Sequence, residues 1–229
     1  MRAICAVLAA ALLAGCGGKP APVSQPGSPY PLGAGYKWTY SGTEISYVDS
    51  ARAETTAGIT TTEITCLGVE KLPSGDSAWA LFHEAKYHAK SDKARAAGDT
   101  VMWYTDTVYE KQADSLVLYW RMRSVPRPDT ELVLPLFAGR SWNMQAGKAW
   151  TMRSTTVGQE PVKVPAGEYA QAWRVEDSTR FADGKMRPGR LVRWFAPGIG
   201  MVRMQMEMQR TDGTRYVVID ELVSVKTRR

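Results

Sequence analysis

The amino-acid sequence predicts a mostly β protein, an antiparallel curved sheet in the form of a half-barrel or a sandwich, with little helix beyond a signal peptide. Apolar and polar residues alternate with a period of two along most of the chain, which is the pattern of half-buried strands. Turn signals rich in glycine, proline and aspartate separate these stretches. A motif of proline, glycine and tryptophan also recurs, which indicates two related halves.

The first fifteen residues have the features of a signal peptide. Arg2 supplies a positive start, and the apolar stretch from Ala3 to Leu13 is too short to span a bilayer. It ends in Leu13-Ala14-Gly15-Cys16, which resembles the lipobox of bacterial lipoproteins and implies that Cys16 carries a diacylglycerol. The alternative is a plain secretory signal with an incidental cysteine. Residues 16–29 are Gly/Pro/Ser-rich without apolar periodicity, which predicts a flexible tether after the lipidated cysteine.

Residues 30–229 form the predicted β domain. The strand pattern is clearest in "AWALFHEAKY", "VMWYTDTVY", "SLVLYWRMR", "GRLVRWF" and "RYVVIDELVSV", which are rich in β-branched and aromatic residues. The best helical candidate is the polar stretch 84–97, which we expect to be a long loop or one surface helix.

An internal repeat is predicted over residues 30–131 and 132–229. The pattern P-L-x-A-G-x-x-W occurs at Pro31 and again at Pro135. A proline–glycine pair then precedes a tryptophan in each half, and Trp103-Tyr104 corresponds to Trp194-Phe195. In each motif the proline and glycine set a turn, and the tryptophan that follows points into the core. Coincidence in a chain rich in Trp and Gly is the alternative.

Three further segments carry a family resemblance: "YPLGAGYKWTY", "VKVPAGEYAQAWRVE" and "WFAPGIGMVR", followed by a closing "DELVSVK". They resemble a group of bacterial envelope lipoproteins with a domain of unknown function, sometimes labelled TapB-like, over Tyr30 to about Lys226. The shared motifs are P-L-x-x-G-x-x-W, V-P-A-G and W-[YF]-A-P-G-[VI]-G. The resemblance implies a half-barrel-like envelope domain and supplies no catalytic residues.

Charge and cysteine content limit the class of protein. The full chain has net charge +6, and removal of Arg2 with the signal leaves +5. This balance suits anionic lipid surfaces or simple solubility better than nucleic acid in an exported protein. Cys5 leaves with the signal and Cys16 is lipidated, so Cys66 has no partner for an internal disulfide. Its strand position favours a buried, inert thiol over a reactive or intermolecular one.

The sequence gives little support for a metal-binding or catalytic site. His83 and His88 are five residues apart, so they do not share a face of either a helix or a strand. No G-x-S-x-G motif or Cys/His pair indicates nucleophilic catalysis. The carboxylates are scattered on half-exposed strands, namely Asp106, Glu110, Asp177 and Glu221. We therefore expect no metal, no cofactor and no enzyme activity.

The methionines of "MVRMQMEMQR" are the main local feature. Met204, Met206 and Met208 share one strand face. Such a face can pack in a core, line a cavity for an apolar ligand, or bind Cu(I). Together with Trp120 and Trp194 they form the predicted ligand-binding set. Arginines interleaved with aromatic residues in "YWRMRSVPRP" and "RLVRWF" either bind sugars or lipid phosphates, or stack on tryptophan across strands.

The stretch "WFAPGIGMVRMQ" reads as a bend between two strands. A phosphate-binding loop would lead into a helix, but the residues after Gly200 alternate with period two. Pro197 and Gly198 match the centre of a type II turn, and Gly200 suits a bulge. The bend is expected to place Trp194 and the methionine face against the same core.

These observations predict a lipid-anchored protein of the bacterial envelope, attached to the outer membrane in a diderm and to the cell membrane otherwise. The favoured function is a non-catalytic binding or structural module that holds a lipid or hydrophobic ligand on a concave sheet face. The alternative is an accessory subunit of an envelope assembly that binds a protein partner. A hydrolase of cell-wall glycans is the third and least supported hypothesis.

Overall fold

The computed structural model describes residues 28–48, 53–72, 75–89, 100–113, 116–122, 129–145, 150–181, 189–209, 211 and 213–227. Within these ranges the chain is β-strand with turns and contains no helix, which confirms the predicted mostly β class. In this part of the chain no helix is long and apolar enough to cross a membrane. The signal peptide, Cys16 and most of the tether lie outside the described residues.

The described residues form twelve β-strands, six in each half of the chain. The first half contributes β1 (Lys37–Val48), β2 (Ala53–Lys71), β3 (Ser77–Ala89), β4 (Thr100–Ala113), β5 (Leu116–Met122) and β6 (Asp129–Leu134). The second half contributes β7 (Ser141–Gln145), β8 (Trp150–Val164), β9 (Gly167–Phe181), β10 (Gly189–Ala196), β11 (Gly200–Gln209) and β12 (Arg215–Lys226).

All twelve strands of the described chain belong to one antiparallel sheet, in the order β6-β5-β4-β3-β2-β1-β12-β11-β10-β9-β8-β7. The two edge strands, β6 and β7, are joined by residues 135–140. A flat sheet of this size would hold its edges about 53 Å apart, whereas this connection reaches at most about 25 Å. The sheet therefore curls until β6 and β7 contact each other, although no backbone ladder joins them within the described residues.

The expectation of a helix or loop over 84–97 is wrong for its first part. Residues 84–89 continue β3 and pair with β2, and residues 84–87 also pair with β4. Their polar side chains alternate with Ala85 and Tyr87 on a sheet whose outer face meets solvent, which a helical interpretation overlooks. The remainder of that segment lies outside the described residues.

The two P-L-x-A-G-x-x-W segments make the same backbone hydrogen bonds. The N–H of Gly35 donates to the carbonyl of Cys66, and the N–H of Cys66 donates to the carbonyl of Tyr36, both at 2.8 Å. The N–H of Gly139 donates to the carbonyl of Thr156 at 2.8 Å, and the N–H of Thr156 donates to the residue after Gly139. Both glycines have φ near +83°, a conformation that favours glycine. Each motif thus fastens the start of one strand to a bulge in the next.

The strand register shows that one pair of tryptophans holds equivalent positions in the two halves of the chain, and that a second pair does not. Trp79 lies opposite Val69, the third residue after Cys66. Trp173 lies opposite Gln159, the third residue after Thr156. Trp103 lies opposite the fifth residue after Trp79, whereas Trp194 lies opposite the first residue after Trp173. Trp103 and Trp194 therefore hold different positions in their halves, and the predicted match between them is wrong.

The apolar core fills one end of the curved sheet, which we call the upper end: the end where β1 begins and β12 finishes. Residues 28–36 cross this end and insert Tyr30 and Leu32 into the core. The N–H of Gly198, in the connection between β10 and β11, donates to the carbonyl of Ser28 at 2.8 Å. The indole N–H of Trp38 donates to the carbonyl of Ile199 at 2.8 Å. The opposite, lower end consists largely of connections outside the described residues.

Candidate functional site

The three predicted methionines lie on the inner face of the sheet. Met204 lies opposite Asp220 on β12, and Asp220 lies opposite Gly42, which shares a strand face with the core residue Tyr40. Because residues directly opposite each other share a face, Met204 points into the curved sheet, and so do Met206 and Met208. All three are partly exposed. The inner face is therefore not completely filled towards the lower end.

Asp220 lies beside this methionine row, and Glu44 lies one strand further away on the same face, opposite Val218. A Cβ atom on Gly42 would come within 2.2 Å of Asp220 Oδ1, so any side chain at position 42 would displace this carboxyl from its place against β1. Burial raises the pKa of the Asp220 carboxyl. On the next row, the ring of Tyr87 lies against Gly58. Burial raises the pKa of Tyr87, and the charge of Glu44 and a hydrogen bond between Tyr87 and Glu44 raise it further. The lower interior thus combines soft apolar side chains with acidic groups.

The upper interior, by contrast, is full. A cavity of about 40 Å³ remains between Tyr30, Trp38, Tyr40, Leu81 and Glu131. A water molecule needs about 10–15 Å³ of such space, and small-molecule sites usually have about 300 Å³ or more. The cavity therefore suits a few water molecules, and an acyl chain would have to bind nearer the methionines.

Two charge pairs are buried on the inner face at matching places in the two halves. His83 Nε2 lies 3.5 Å from Asp106 Oδ2 in the first half. In the second half Arg193 donates to both carboxylate oxygens of Asp177, from Nε at 2.8 Å and from Nη2 at 3.0 Å. His83 is the fourth residue after Trp79 on β3, and Asp177 is the fourth residue after Trp173 on β9. At this matching position the first half therefore has the basic member of its pair and the second half has the acidic member.

The second pair also bridges the interior. Arg193 Nη1 donates to Glu131 Oε1 on β6 at 2.7 Å, so one guanidinium connects the edge strand of the first half to β9 and β10. All three side chains are nearly inaccessible. Sequence reasoning missed this cluster. The available signal was that Arg193 has the same strand parity as the core residue Phe195, and Asp177 the same parity as Val175.

Trp194 does not share a face with the methionines, and that expectation is wrong. Trp194 lies opposite Arg174 and Arg203, whereas the methionines lie opposite the inner-face residues of β10 and β12. The register of β11 against β10 shifts between Trp194 and Phe195, and this shift places Trp194 and the three methionines on opposite faces of the sheet. Trp194 packs instead on the outer side, where its indole N–H donates to Glu160 Oε1 at 2.6 Å. Trp120 lies on β5, and its side chain is outside the described part of the structure.

The outer face around Trp194 carries a network of ion pairs. The guanidinium of Arg203 lies 5.4 Å from the Trp194 ring centroid, which is the arginine-on-tryptophan packing considered from the sequence. Arg174 and Arg190 both donate to Glu176. Although burial acts to raise the pKa of Glu176, these two arginines together hold it below its usual value. The charges on this face are thus largely paired with one another.

The bend at 197–199 has the geometry of a β-turn. The N–H of Ile199 donates to the carbonyl of Ala196 at 3.1 Å, with Pro197 and Gly198 at the centre. Gly198 has φ of +75°, as the third residue of a type II turn requires. Gly200 has φ of +105° and lies against Trp38, so the next strand begins in close contact with the core.

The histidines and carboxylates considered as catalytic or metal-binding groups are dispersed. His83 is buried, whereas His88 is exposed. Within the described ranges no group of three His, Cys, Asp or Glu side chains could hold a metal ion. Asp106 and Asp177 belong to the buried pairs, and Glu221 lies 3.7 Å from Arg203. The side chain of Glu110 is outside the described part. Cys66 is a buried free thiol.

Comparisons with known proteins give only weak likeness. No protein-family model matches the chain, and no curated protein matches its sequence. The chain is similar to a solved structure from Bacteroides fragilis, provisionally named an exported protein with a YmcC-like fold, at 13% identity and a TM-score of 0.46 over 86% of this chain and 98% of that one. It is also similar to a provisionally named lipoprotein of Parabacteroides distasonis, at 14% identity and a TM-score of 0.42 over 89% and 100%. No functional conclusion rests on this likeness, and the resemblance to TapB-like lipoproteins stays a prediction.

Proposed function

We propose that the protein is a lipid-anchored component of the bacterial cell envelope that binds an apolar or amphiphilic ligand inside its curved sheet without catalysing a reaction. The observation that carries this proposal is the row formed by Met204, Met206 and Met208, which points inward and stays partly exposed. Methionine side chains adapt to flexible apolar ligands. The carboxyl groups of Asp220 and Glu44 nearby would meet the polar part of an amphiphile.

The state of the buried charges supports a non-catalytic role. Arg193 holds the carboxylates of Asp177 and Glu131 through direct hydrogen bonds, and Asp106 lies beside His83. A general base needs a carboxylate that is poised to accept a proton from a substrate. Carboxylates held by an arginine in a filled interior are better suited to fixing the shape of the sheet.

Ligand binding is tested with a matched pair of variants. The full chain is extracted from its own membrane, examined for retained lipid by native mass spectrometry, delipidated, and titrated with a fluorescent fatty acid. Met206→Glu places a charge in the inner row and should weaken binding at least tenfold. Trp103→Glu places the same charge at an exposed apolar side chain on the outer face of β4 and should have no effect. Equal affinities of the two variants, or no binding by the wild type, would refute the proposed ligand site.

Copper is the competing ligand for the same row, because thioethers bind Cu(I). Titration of the delipidated protein with Cu(I) separates the two. Binding at micromolar Cu(I) that is lost in Met206→Glu but kept in Trp103→Glu would replace the apolar ligand by a metal ion. The absence of binding at that concentration would rule out Cu(I) as the ligand of the methionine row.

Anchoring through Cys16 is tested separately. The mature protein should carry the mass of a diacylglycerol and label with a palmitate analogue, and Cys16→Ser should abolish both. In a diderm host the wild type should fractionate with the outer membrane. A chain that is exported but carries no lipid would leave Cys16 an incidental cysteine.

An envelope subunit that binds a protein partner is the second candidate. Trp103 on β4 is 63% exposed on the outer face of the sheet, and tryptophan is enriched at protein–protein interfaces. A photo-crosslinking residue at position 103 should then capture one specific envelope protein, whereas the same residue at Ser178, an exposed position on β9, should not.

A further inference from the structure

We propose that the upper end of the sheet rests on the membrane that holds the lipid anchor, with a ring of exposed apolar side chains dipping into its interface. We call this ring the apolar rim; it consists of Leu67, Val69, Phe137, Val157 and Val223. Each of these side chains is between 37% and 59% exposed. This inference rests on the proposed anchoring through Cys16.

The rim arises from irregularities in the sheet rather than from chance exposure. Leu67 and Val157 are the extra residues at the bulges of β2 and β8, and Val223 is the extra residue where β12 slips against β1. A bulge turns its extra side chain away from the regular pleat. Three bulges near the same end of the sheet thus each present an apolar side chain to the outside.

The remaining two members extend the same end. Phe137 lies in the loop between β6 and β7, whose glycine is hydrogen-bonded to the residue before Val157. Val69 lies two residues beyond Leu67 on β2. Exposed apolar groups collected on one edge of a fold mark an interaction surface.

The chain itself identifies the lipid surface as the partner. Ser28 is held at the upper end by the N–H of Gly198, and Cys16 lies only twelve residues earlier. Twelve residues span at most about 42 Å, so the lipid on Cys16 would lie within that distance of Ser28. The anchor therefore keeps the apolar rim close to the lipid, whereas the lower end points away from it.

Charge near the rim is mixed. Lys71, Lys163 and Lys226 are exposed there, and so are Glu70 and Glu168. Each lysine would favour contact with an anionic lipid surface, and each carboxylate would oppose it. The contact should accordingly depend on apolar insertion and respond little to salt.

The test measures how deeply single sites lie in the bilayer. Lipidated full-length protein is placed in vesicles of phosphatidylethanolamine and phosphatidylglycerol, with a nitroxide attached at Leu67→Cys, Phe137→Cys or Met102→Cys. Only the introduced thiol reacts, because Cys66 is buried and Cys16 is acylated. Collisions of the nitroxide with oxygen report lipid, and collisions with a water-soluble nickel complex report water. All three positions are exposed, and melting temperatures confirm that each labelled variant is folded.

We expect the ratio of oxygen to nickel collisions at positions 67 and 137 to exceed that at position 102 at least threefold, and to change little between low and high salt. Equal ratios at the three positions, in protein that floats with the vesicles, would overturn the membrane contact and leave the anchor intact. Protein that does not float with the vesicles and carries no lipid mass would overturn the anchoring, and the contact with it.

Discussion

Arg193 on β10 donates two hydrogen bonds to the carboxylate of Asp177 on β9 inside the curved sheet, and its third nitrogen reaches Glu131 on β6. Replacing this arginine by methionine keeps much of its volume and removes both its charge and its hydrogen bonds to the two buried carboxylates. Loss of one member of a buried pair costs about 3–5 kcal/mol. We expect Arg193→Met to lower the free energy of unfolding by about that amount, measured by urea denaturation.

Arg190→Met is the matched control. Arg190 is three residues away on the same strand, so it lies on the outer face, and its side chain is 56% exposed where it pairs with Glu176. Exposed pairs contribute less than about 1 kcal/mol. Similar decreases in the free energy of unfolding for the two variants would mean that the interior cluster contributes no more to stability than an exposed ion pair.

The bend at Pro197 gives a second prediction. Gly198 has a positive φ and open space around it, so Gly198→Val meets no clash and is penalised only by its backbone conformation. We expect a loss of about 1–3 kcal/mol. Gly158→Val, at an open position on β8 without positive φ, should stay within about 0.5 kcal/mol of the wild type. If the variant at 198 melts at the wild-type temperature, the turn does not need its glycine.

The buried carboxyl of Asp220 makes stability depend on pH. Burial raises its pKa above the ordinary value of 3.8, so the folded protein binds this proton more strongly than the unfolded chain does. The contribution of Asp220 to stability therefore falls as the pH rises from about 4 through the folded-state pKa. Asp220→Asn has no such proton. It should be more stable than the wild type at pH 7, with a difference that shrinks on acidification in thermal melts; a constant difference at all pH values would contradict this account.

The thiol of Cys66 should be inert in the folded protein. It is fully buried, and burial raises its pKa, although hydrogen bonds from the backbone of Gly33 and Gly68 act in the opposite direction. Since the thiolate is the reactive form, Ellman's reagent should find no reactive thiol in the mature lipidated protein until urea is added, and then one. Leu67→Cys, one residue further along β2, should react within minutes without urea. Equal rates for the two thiols would place Cys66 at the surface.

Strand periodicity alone is enough to predict most of the sheet, because alternation reports burial on one face directly. "SLVLYWRMR" and "RYVVIDELVSV" coincide with β5 and β12 to within two residues. Across a bulge the same rule fails. Because of the register shift beside Trp194, the methionines of β11 point to the inside of the sheet while Trp194 points to the outside. No residue type in the sequence marks this shift.

The buried charges escape sequence reasoning for a different reason. Arg193, Asp177 and His83 occupy core positions of strands that otherwise follow the apolar pattern, and a charge there looks like an exposed position. Only the curvature that brings β6 across from β10 shows that Arg193 has two partners rather than one. That curvature depends on the connection between the two edge strands, and no local motif encodes it.

The strand order has a consequence for how the chain folds. Of the eleven strand pairs in the described residues, ten join neighbours along the chain, and the eleventh joins β1 to β12. The ten local pairs can zip up one hairpin after another at small entropic cost, whereas the last must bring together segments separated by nearly the whole domain. We therefore expect two meanders of six strands to form first and β1–β12 docking to limit the rate. Substitutions at that seam, such as at Gly42, should slow folding more than equally destabilising ones within either meander.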